Sequence, residues 1–398
     1  MAPLVDDQLR RRLLVSRHQL GTSGRADRTI MQSAQALALI HSTDPSTPYL
    51  SLQARTSSSQ SDIDAVFYDD RSLLRHATLR RTIFAMPLDV VPLAHHSYNG
   101  RLVRTLRTNL LGWIEASPDT SIPSARFLDE TSDAIVGLLR AGGATTGRAL
   151  AEALPALQVR FNPTPSASNS KPMRITSRVL ELLAAEGRIV RGRRTGRDLT
   201  SAAWAWEAID VWIGADGIPE LDADEALTRL VARHLTTFAP ATTTDVAWWT
   251  GLPKGAIRAA AERCGVRTVS LDNNRELAFV LVDDDLDAPP PNGEVALLPG
   301  LDSTTMGWKQ RGWYVDDAVE AGIFDRNGNA GPTVWFEGRV VGVWTQRSDG
   351  EIVSRLLDDI GSDGHDRVDA EAERLHQWLG SVRVKWRFPT PITKQLSA

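Results

Sequence analysis

Apolar residues recur at three- and four-residue spacing over Gln8–Arg17, Ile30–Ile40 and Asp62–Leu74, which predicts helices in the first third of the chain. Between them, the turn Ser42–Pro48 leads into an apolar segment, Tyr49–Leu52. Leu79–Val91 then reads as strand-like, interrupted by Pro87. A second stretch repeats the layout. Glu130–Leu139 is helical and stops at Gly142–Gly143. Thr145–Leu154 is helical, with Thr145 or Thr146 as its cap. The Pro-, Ser- and Asn-rich Asn162–Lys171 is a loop. Thr176–Ala185 is a helix stopped by Gly187. Ile189–Val190 and Leu199–Trp206 are strands joined by the arginine-rich loop Arg191–Asp198.

The third stretch has the clearest signals. Asp222–Phe238 is amphipathic, Thr243–Thr250 follows a threonine cap, and Gly251–Leu252–Pro253 turns into a recognition-type helix, Lys254–Cys264. Val266–Leu271 and Glu276–Val282 form a hairpin through Asp272–Asn273–Asn274. The acidic, proline-rich Asp283–Pro291 is a boundary. Beyond it, Glu294–Leu298, Thr333–Phe336, Arg339–Trp344 and Val382–Phe388 read as strands, with a helix near Asp369–Leu379. The expectation is an α+β chain of three tandem winged helix-turn-helix units followed by a C-terminal β-barrel-like domain. The expected boundaries are 1–125, 126–218, 219–288 and 289–398.

Composition changes this picture little, because 42% hydrophobic and 24% charged residues are ordinary for a globular protein. A single cysteine, Cys264, excludes an internal disulfide, a cysteine zinc site and an iron–sulfur cluster. No apolar run is long enough for a membrane span, and the first residues lack the apolar core of a secretory signal. A cytoplasmic, nucleoid-associated protein is expected.

Charge adds more. The net charge is −4, yet Lys171 to Arg197 holds eight basic residues against Glu181 and Glu186, and Arg71 to Arg81 holds four arginines and no acid. Such segregation suits a phosphate-binding face, although it is also what solvated helix faces look like. The candidate DNA contacts are Arg71, Arg75, Arg80, Arg81, Arg188, Arg191, Arg193, Arg194 and Arg197, with Lys254 and Arg258 on the recognition-type helix.

Four segments point to a family: Tyr68–Thr82 (YDDRSLLRHATLRRT), Phe238–Gly251 (FAPATTTDVAWWTG), Leu297–Arg311 (LLPGLDSTTMGWKQR) and Phe324–Trp344 (FDRNGNAGPTVWFEGRVVGVW). With their order, they make the chain resemble the AlkZ-like (YcaQ-like) winged-helix DNA glycosylases. That resemblance implies tandem winged helices with a C-terminal β-barrel, and removal of alkylated purines from duplex DNA, including bulky adducts and some interstrand crosslinks. It also implies a catalytic Gln-x-Gln or Gln-x-Asp motif before an Asp-Pro turn after an early helix.

Here that place reads Ile40–His41–Ser42–Thr43–Asp44–Pro45, so the two catalytic positions are His41 and Thr43. A purine alkylated at N7 or N3 is already cationic and needs little acid to depart. The protein must place water against C1′ and stabilise an oxocarbenium-like sugar. An imidazole with an ordinary pKa of about 6.5 can accept the water's proton, and a threonine hydroxyl can hold the same water. The plain alternative is that His41 closes a helix favourably placed for the dipole and Thr43 caps a turn.

Other groups carry less. His95 and His96 lack further ligands nearby, and Asp283–Asp285 fits a solvated linker better than a metal site. Trp248 and Trp249 are packing aromatics or stacking platforms, and Asp302 is either structural or DNA-facing. No cofactor or metal is expected. The expected enzyme is a monomeric monofunctional glycosylase acting on alkylated purines, bulky N7-alkylguanine adducts foremost, in base excision repair or self-resistance to a DNA-alkylating antibiotic. The rival is a non-enzymatic winged-helix DNA-binding protein or regulator. A nuclease is disfavoured for want of a carboxylate metal cluster.

Overall fold

The computed structural model describes residues 2–163, 171–196, 198–214, 216–272 and 274–397. Arg197, Asn273 and most of the loop expected over Asn162–Lys171 lie outside them. The chain is α+β. One sheet topology recurs three times: a short strand pairs with the second strand of a hairpin, and the hairpin's first strand lies on the far side of that second strand. The sets are Ile40–His41 with Leu73–Thr78 and Thr82–Pro87, Thr145–Thr146 with Ile189–Arg194 and Trp204–Ala208, and Ala241–Thr242 with Val266–Leu271 and Asn274–Leu281. In each, helices fill the chain between the short strand and the hairpin, the order of a winged helix-turn-helix.

Local chemistry sets most helix ends. Thr29, Ser59 and Thr242 each close a capping box, with Gln32, Asp62 and Asp245 as the reciprocal partners, so helices Ile30–Leu37, Gln60–Tyr68 and Thr243–Thr250 begin where donors would otherwise go unpaired. Thr146 caps Gly147–Ala153, and Asp222 caps Ala223–Phe238. The helix expected over Asp62–Leu74 ends at Tyr68. Leu73 and Leu74 instead open a strand whose residues are all buried.

Two features depart from a plain tandem array. Leu4–Val5 adds in parallel to the third unit's sheet, pairing with Ser270 and Leu271. The helix that follows, Asp7–Arg17, is tied there as well, by Arg17 to Asp284 at 2.6 Å. The helix Val91–Glu115 carries the chain from the first unit into the second. Its Leu102, Leu106, Leu110 and Ile114 are buried at four-residue spacing against Phe127, Leu128 and Val179 in a core belonging to the second unit. The first unit, the third unit and the C-terminal sheet share another core, running from Leu14 to Val384, which Val190, Leu199, Ile209 and Trp212 of the second unit also enter.

The C-terminal strands Val295–Leu298, Thr333–Phe336, Arg339–Gln346 and Ile352–Leu356 form one antiparallel sheet in that order. It stays open rather than closing into a barrel. Helix Gly361–Leu379 packs against both edge strands and Pro391–Ser397 against the centre. The segment expected as a last strand, Val382–Phe388, forms no ladder. It is held by side chains: the Val384 amide donates to Gln346 Oε1 (2.8 Å) and Trp386 Nε1 to Thr345 Oγ1 (3.1 Å).

Candidate functional site

Helix Ile30–Leu37 ends abruptly because Ala38 takes a left-handed φ of 58°, a position that costs a non-glycine residue about 1–3 kcal/mol. The reversal sends the chain straight into Ile40–His41, which pairs antiparallel with Ala85 and Phe84. Strand alternation then buries Ile40 in the core and turns His41 the other way. His41 lines a narrow cavity of about 60 Å³, room for a few water molecules. The other walls are Leu39, Arg80, Thr82 and Phe84 of the first unit, Trp249 of the third, and Leu301, Ser303, Met306 and Asn329 of the C-terminal region. Three parts of the chain therefore meet at one imidazole.

His41 Nδ1 is buried and has no hydrogen-bond partner, which a buried ring nitrogen seldom tolerates without water or ligand. Burial, and then Arg80, pushes its pKa down to about 3, so the ring is neutral at any physiological pH. Its edge contacts Phe84 at 5.2 Å. The cavity's polar groups are few. Ser303 Oγ donates to the Leu39 carbonyl (2.6 Å), and the Asn329 amide is oriented by donating to Asp325 Oδ2 (2.9 Å).

Thr43 lies outside this lining. Its carbonyl accepts from Arg387 (3.1 Å), and the next residue, Asp44, is buried, accepting from the Ser46 amide (3.0 Å), Ser46 Oγ (2.6 Å) and the Arg387 amide (3.0 Å). The corner after His41 is thus pinned to the C-terminal segment. Ser42, between the two candidates, faces the other way and accepts from Arg75 Nε (3.2 Å).

Most of the expected DNA-contact arginines are engaged within the protein. Arg75 is buried over Phe67 (3.8 Å) and Trp204 (4.5 Å) and donates to Tyr68, so its guanidinium meets protein rather than solvent. Arg194 pairs with Asp64 (3.1 Å) over Tyr49, and Arg193 with Asp69 (2.5 Å) over Tyr68. Arg191 lies on Trp206 at 4.7 Å, where burial lowers its pKa to about 10. Arg188 reaches Asp133 (2.7 Å), Arg71 reaches Glu207 (3.4 Å) and Arg81 reaches Glu181 (3.7 Å).

Arg193 and Arg194 of the second wing are therefore tied to helix Gln60–Tyr68 and to Asp69 just past its end. On the recognition-type helix, exposed Lys254 donates to Thr244 Oγ1 (2.5 Å), and exposed Arg258 has no partner among the described residues. Arg80, on the first hairpin, reaches both the cavity and Trp248.

The sequence left Asp302 open between structure and DNA contact, and the structure makes it internal. Asp302 and Arg55 are fully buried and paired through both oxygens, at 2.9 and 3.0 Å. Burial alone would raise the Asp302 carboxyl. Arg55, Ser51 Oγ and the Thr304 amide outweigh it and hold the pKa below the ordinary value. Arg55 also donates to the His18 carbonyl (2.8 Å), and the His18 ring bonds Thr304 Oγ1 (2.8 Å) and the Thr237 carbonyl (3.0 Å). This network fixes the 299–306 loop that forms one cavity wall. His95 bonds His76 (3.0 Å) and His96 bonds the Pro219 carbonyl (2.9 Å). No group of three or more His, Cys, Asp or Glu arranged for a metal occurs among the described residues, and none of their helices is long and apolar enough to cross a membrane.

The residue-level reading missed Ser303 and Asn329 as neighbours of the site. Their only signal was membership of the two distinctive segments Leu297–Arg311 and Phe324–Trp344. Comparison with known proteins gives three findings. The family model described as DNA glycosylase AlkZ-like matches residues 34–378. The solved structure of the Streptomyces sahachiroi DNA glycosylase AlkZ is similar to this one, with a TM-score of 0.72 and 21% identity, over 96% of this chain and 99% of that one. No curated protein matches the chain.

Proposed function

This chain belongs to the AlkZ-like DNA glycosylase family, and from that premise we propose that it is a monofunctional glycosylase that hydrolyses the N-glycosidic bond of alkylated purines in double-stranded DNA. The observation that carries the reading is a neutral imidazole, His41, which lines a water-sized cavity and has a buried unpartnered nitrogen, at the position of the family's catalytic motif. An N7-alkylguanine is a cation, so its bond to C1′ breaks with both electrons passing to the purine. Water adds to the oxocarbenium-like C1′ and becomes strongly acidic as its oxygen bonds carbon. A weak base suffices at that stage: His41 takes the proton and returns it to solvent. The products are a neutral alkylpurine and an abasic sugar.

Under this reading Thr43 has a lesser part, its backbone holding the end of the His41 strand against Arg387. The cationic leaving base removes the need for a metal or organic cofactor. We assign the enzyme to base excision repair, acting as a cytoplasmic monomer on bulky N7-guanine adducts, and to self-resistance where the host makes an alkylating antibiotic.

The test is single-turnover excision from a duplex carrying one N7-alkylguanine, with the released base identified by mass spectrometry. His41→Ala should lower the rate by about 10²–10⁴-fold while binding to the lesion duplex persists. A folded His41→Ala protein that excises at the wild-type rate would refute the assignment. A wild-type protein that releases no base from any alkylated duplex would leave a DNA-binding protein.

A further inference from the structure

Two guanidinium groups converge on the Trp248 ring, and one of them belongs to the His41 cavity wall. Arg80 lines the cavity and places its guanidinium carbon 4.7 Å from the Trp248 ring centre. Arg311 comes from the C-terminal region and sits 5.3 Å from the centre of the same ring.

The arrangement is held at a cost. Arg80 and Arg81 have φ of 55° and 59°, the left-handed region, at the tip of the first hairpin. Gly251, with φ 74°, lies against the Arg80 stem, and a Cβ there would stand 2.9 Å from its Cγ. Arg311 is mostly buried over Phe324 (3.8 Å), and its Nε is buried without a hydrogen-bond partner. The charges are poorly neutralised. Arg80 has no carboxylate partner among the described residues. Among the described residues Arg311 meets the Gly328 carbonyl (3.3 Å) and the Tyr314 hydroxyl, and its one carboxylate is half-exposed Glu320 at a long 3.9 Å.

Two cations beside a site that must develop positive charge on a sugar oppose the reaction, unless an anion sits between them and the sugar. Duplex DNA brings one such anion with every nucleotide. We propose that Arg80 and Arg311, both set against Trp248, form a seat for the backbone phosphate next to the nucleotide under attack. The seat positions C1′ over the His41 cavity and completes the site's charge balance only when DNA is bound. The inference rests on the glycosylase reading for the identity of that nucleotide. It differs from general backbone attraction because it assigns one phosphate to one pair of side chains from distant parts of the chain.

Binding to a duplex containing a stable abasic-site analogue tests the seat without requiring excision. Affinity is measured by fluorescence anisotropy over a range of salt for wild type, Arg80→Gln, Arg80→Lys and Arg80→Gly. Glycine accepts φ 55° without strain, so backbone strain adds nothing to the loss of the side chain, and thermal unfolding checks the fold of each variant. The expected result is about tenfold weaker binding for the Gln and Gly variants, with the log–log salt slope smaller by about 0.9, the equivalent of one phosphate contact. The Lys variant should keep the slope while losing part of the affinity, because it keeps the charge but not the planar fork. Unchanged affinity and slope in well-folded Gln and Gly variants would overturn the seat. Loss of affinity with an unchanged slope would overturn it too, since that pattern means packing rather than a phosphate. If wild type excises nothing, the glycosylase reading fails separately, and the salt slopes still decide whether the two arginines hold a phosphate.

Discussion

The protonation state of His41 makes a quantitative prediction. A histidine with an ordinary pKa of about 6.5 that must be neutral would lose roughly tenfold in rate between pH 7.5 and 5.5, because only about one ring in eleven stays unprotonated at the lower pH. In this structure burial, with Arg80 second, pushes the His41 pKa down to about 3. Essentially every ring is then neutral at pH 5.5, and the rate should be level from pH 8 to about 5. A phosphate seated at Arg80 offsets the smaller of the two causes and leaves burial, the larger.

The assay is single-turnover release of an N7-alkylguanine at saturating enzyme, with the background depurination of the same duplex subtracted at each pH. A tenfold fall centred near pH 6.5 that disappears in His41→Asn would refute the buried, depressed imidazole. The same shift has a stability consequence. Below about pH 6.5 the unfolded chain binds a proton at His41 that the folded chain refuses until about pH 3. His18 and His234, also pushed down to about 3 by burial, act in the same direction. Their contribution is fully present above pH 6.5 and is lost progressively as pH falls toward 3, so the midpoint in urea should decline across that window.

Further outcomes follow from the interior ion pair and the docked wing. Asp302→Ala leaves Arg55 buried with only carbonyl and hydroxyl partners and should cost about 3–5 kcal/mol in urea unfolding, whereas replacing both by leucine and methionine should restore most of it; a cost under 1 kcal/mol for the single change would show that the pair is not a strut. Arg194→Met, which removes the Asp64 and Tyr49 contacts, should loosen the second unit by about 1–3 kcal/mol while leaving the salt slope of DNA binding unchanged, read by urea unfolding and anisotropy. Neutralising Lys254 and Arg258 together should instead reduce that slope by up to about 1.8, with little change in stability, if the recognition-type helix lies on the duplex.

Sequence alone determined the elements whose ends are set within a turn of themselves. Thr176–Ala185, Thr243–Thr250 and Lys254–Cys264 stand where the pattern put them, because Gly187, Thr242, Gly251 and Pro253 act on their own neighbours. The order of helices and hairpins along the three stretches was legible for a related reason: each is a local string whose meaning does not depend on what packs against it. The apolar spacing of Val91–Glu115 was equally present, with Leu102, Leu106, Leu110 and Ile114 one turn apart, but it was not read as a helix.

What only the tertiary structure decided involves partners far along the chain. Arg194 looks like a phosphate ligand until Asp64, 130 residues earlier, is beside it. Asp302 stays open between a structural and a DNA-facing role until Arg55, 247 residues away, encloses it. Arg80, Trp249 and Asn329 become neighbours of His41 only when the first unit, the third unit and the C-terminal sheet pack around one core. Charge and hydrogen-bonding capacity belong to a residue, but their free energy depends on desolvation and on the opposite group within a few ångströms. Both are set by long-range packing rather than by neighbours in the chain.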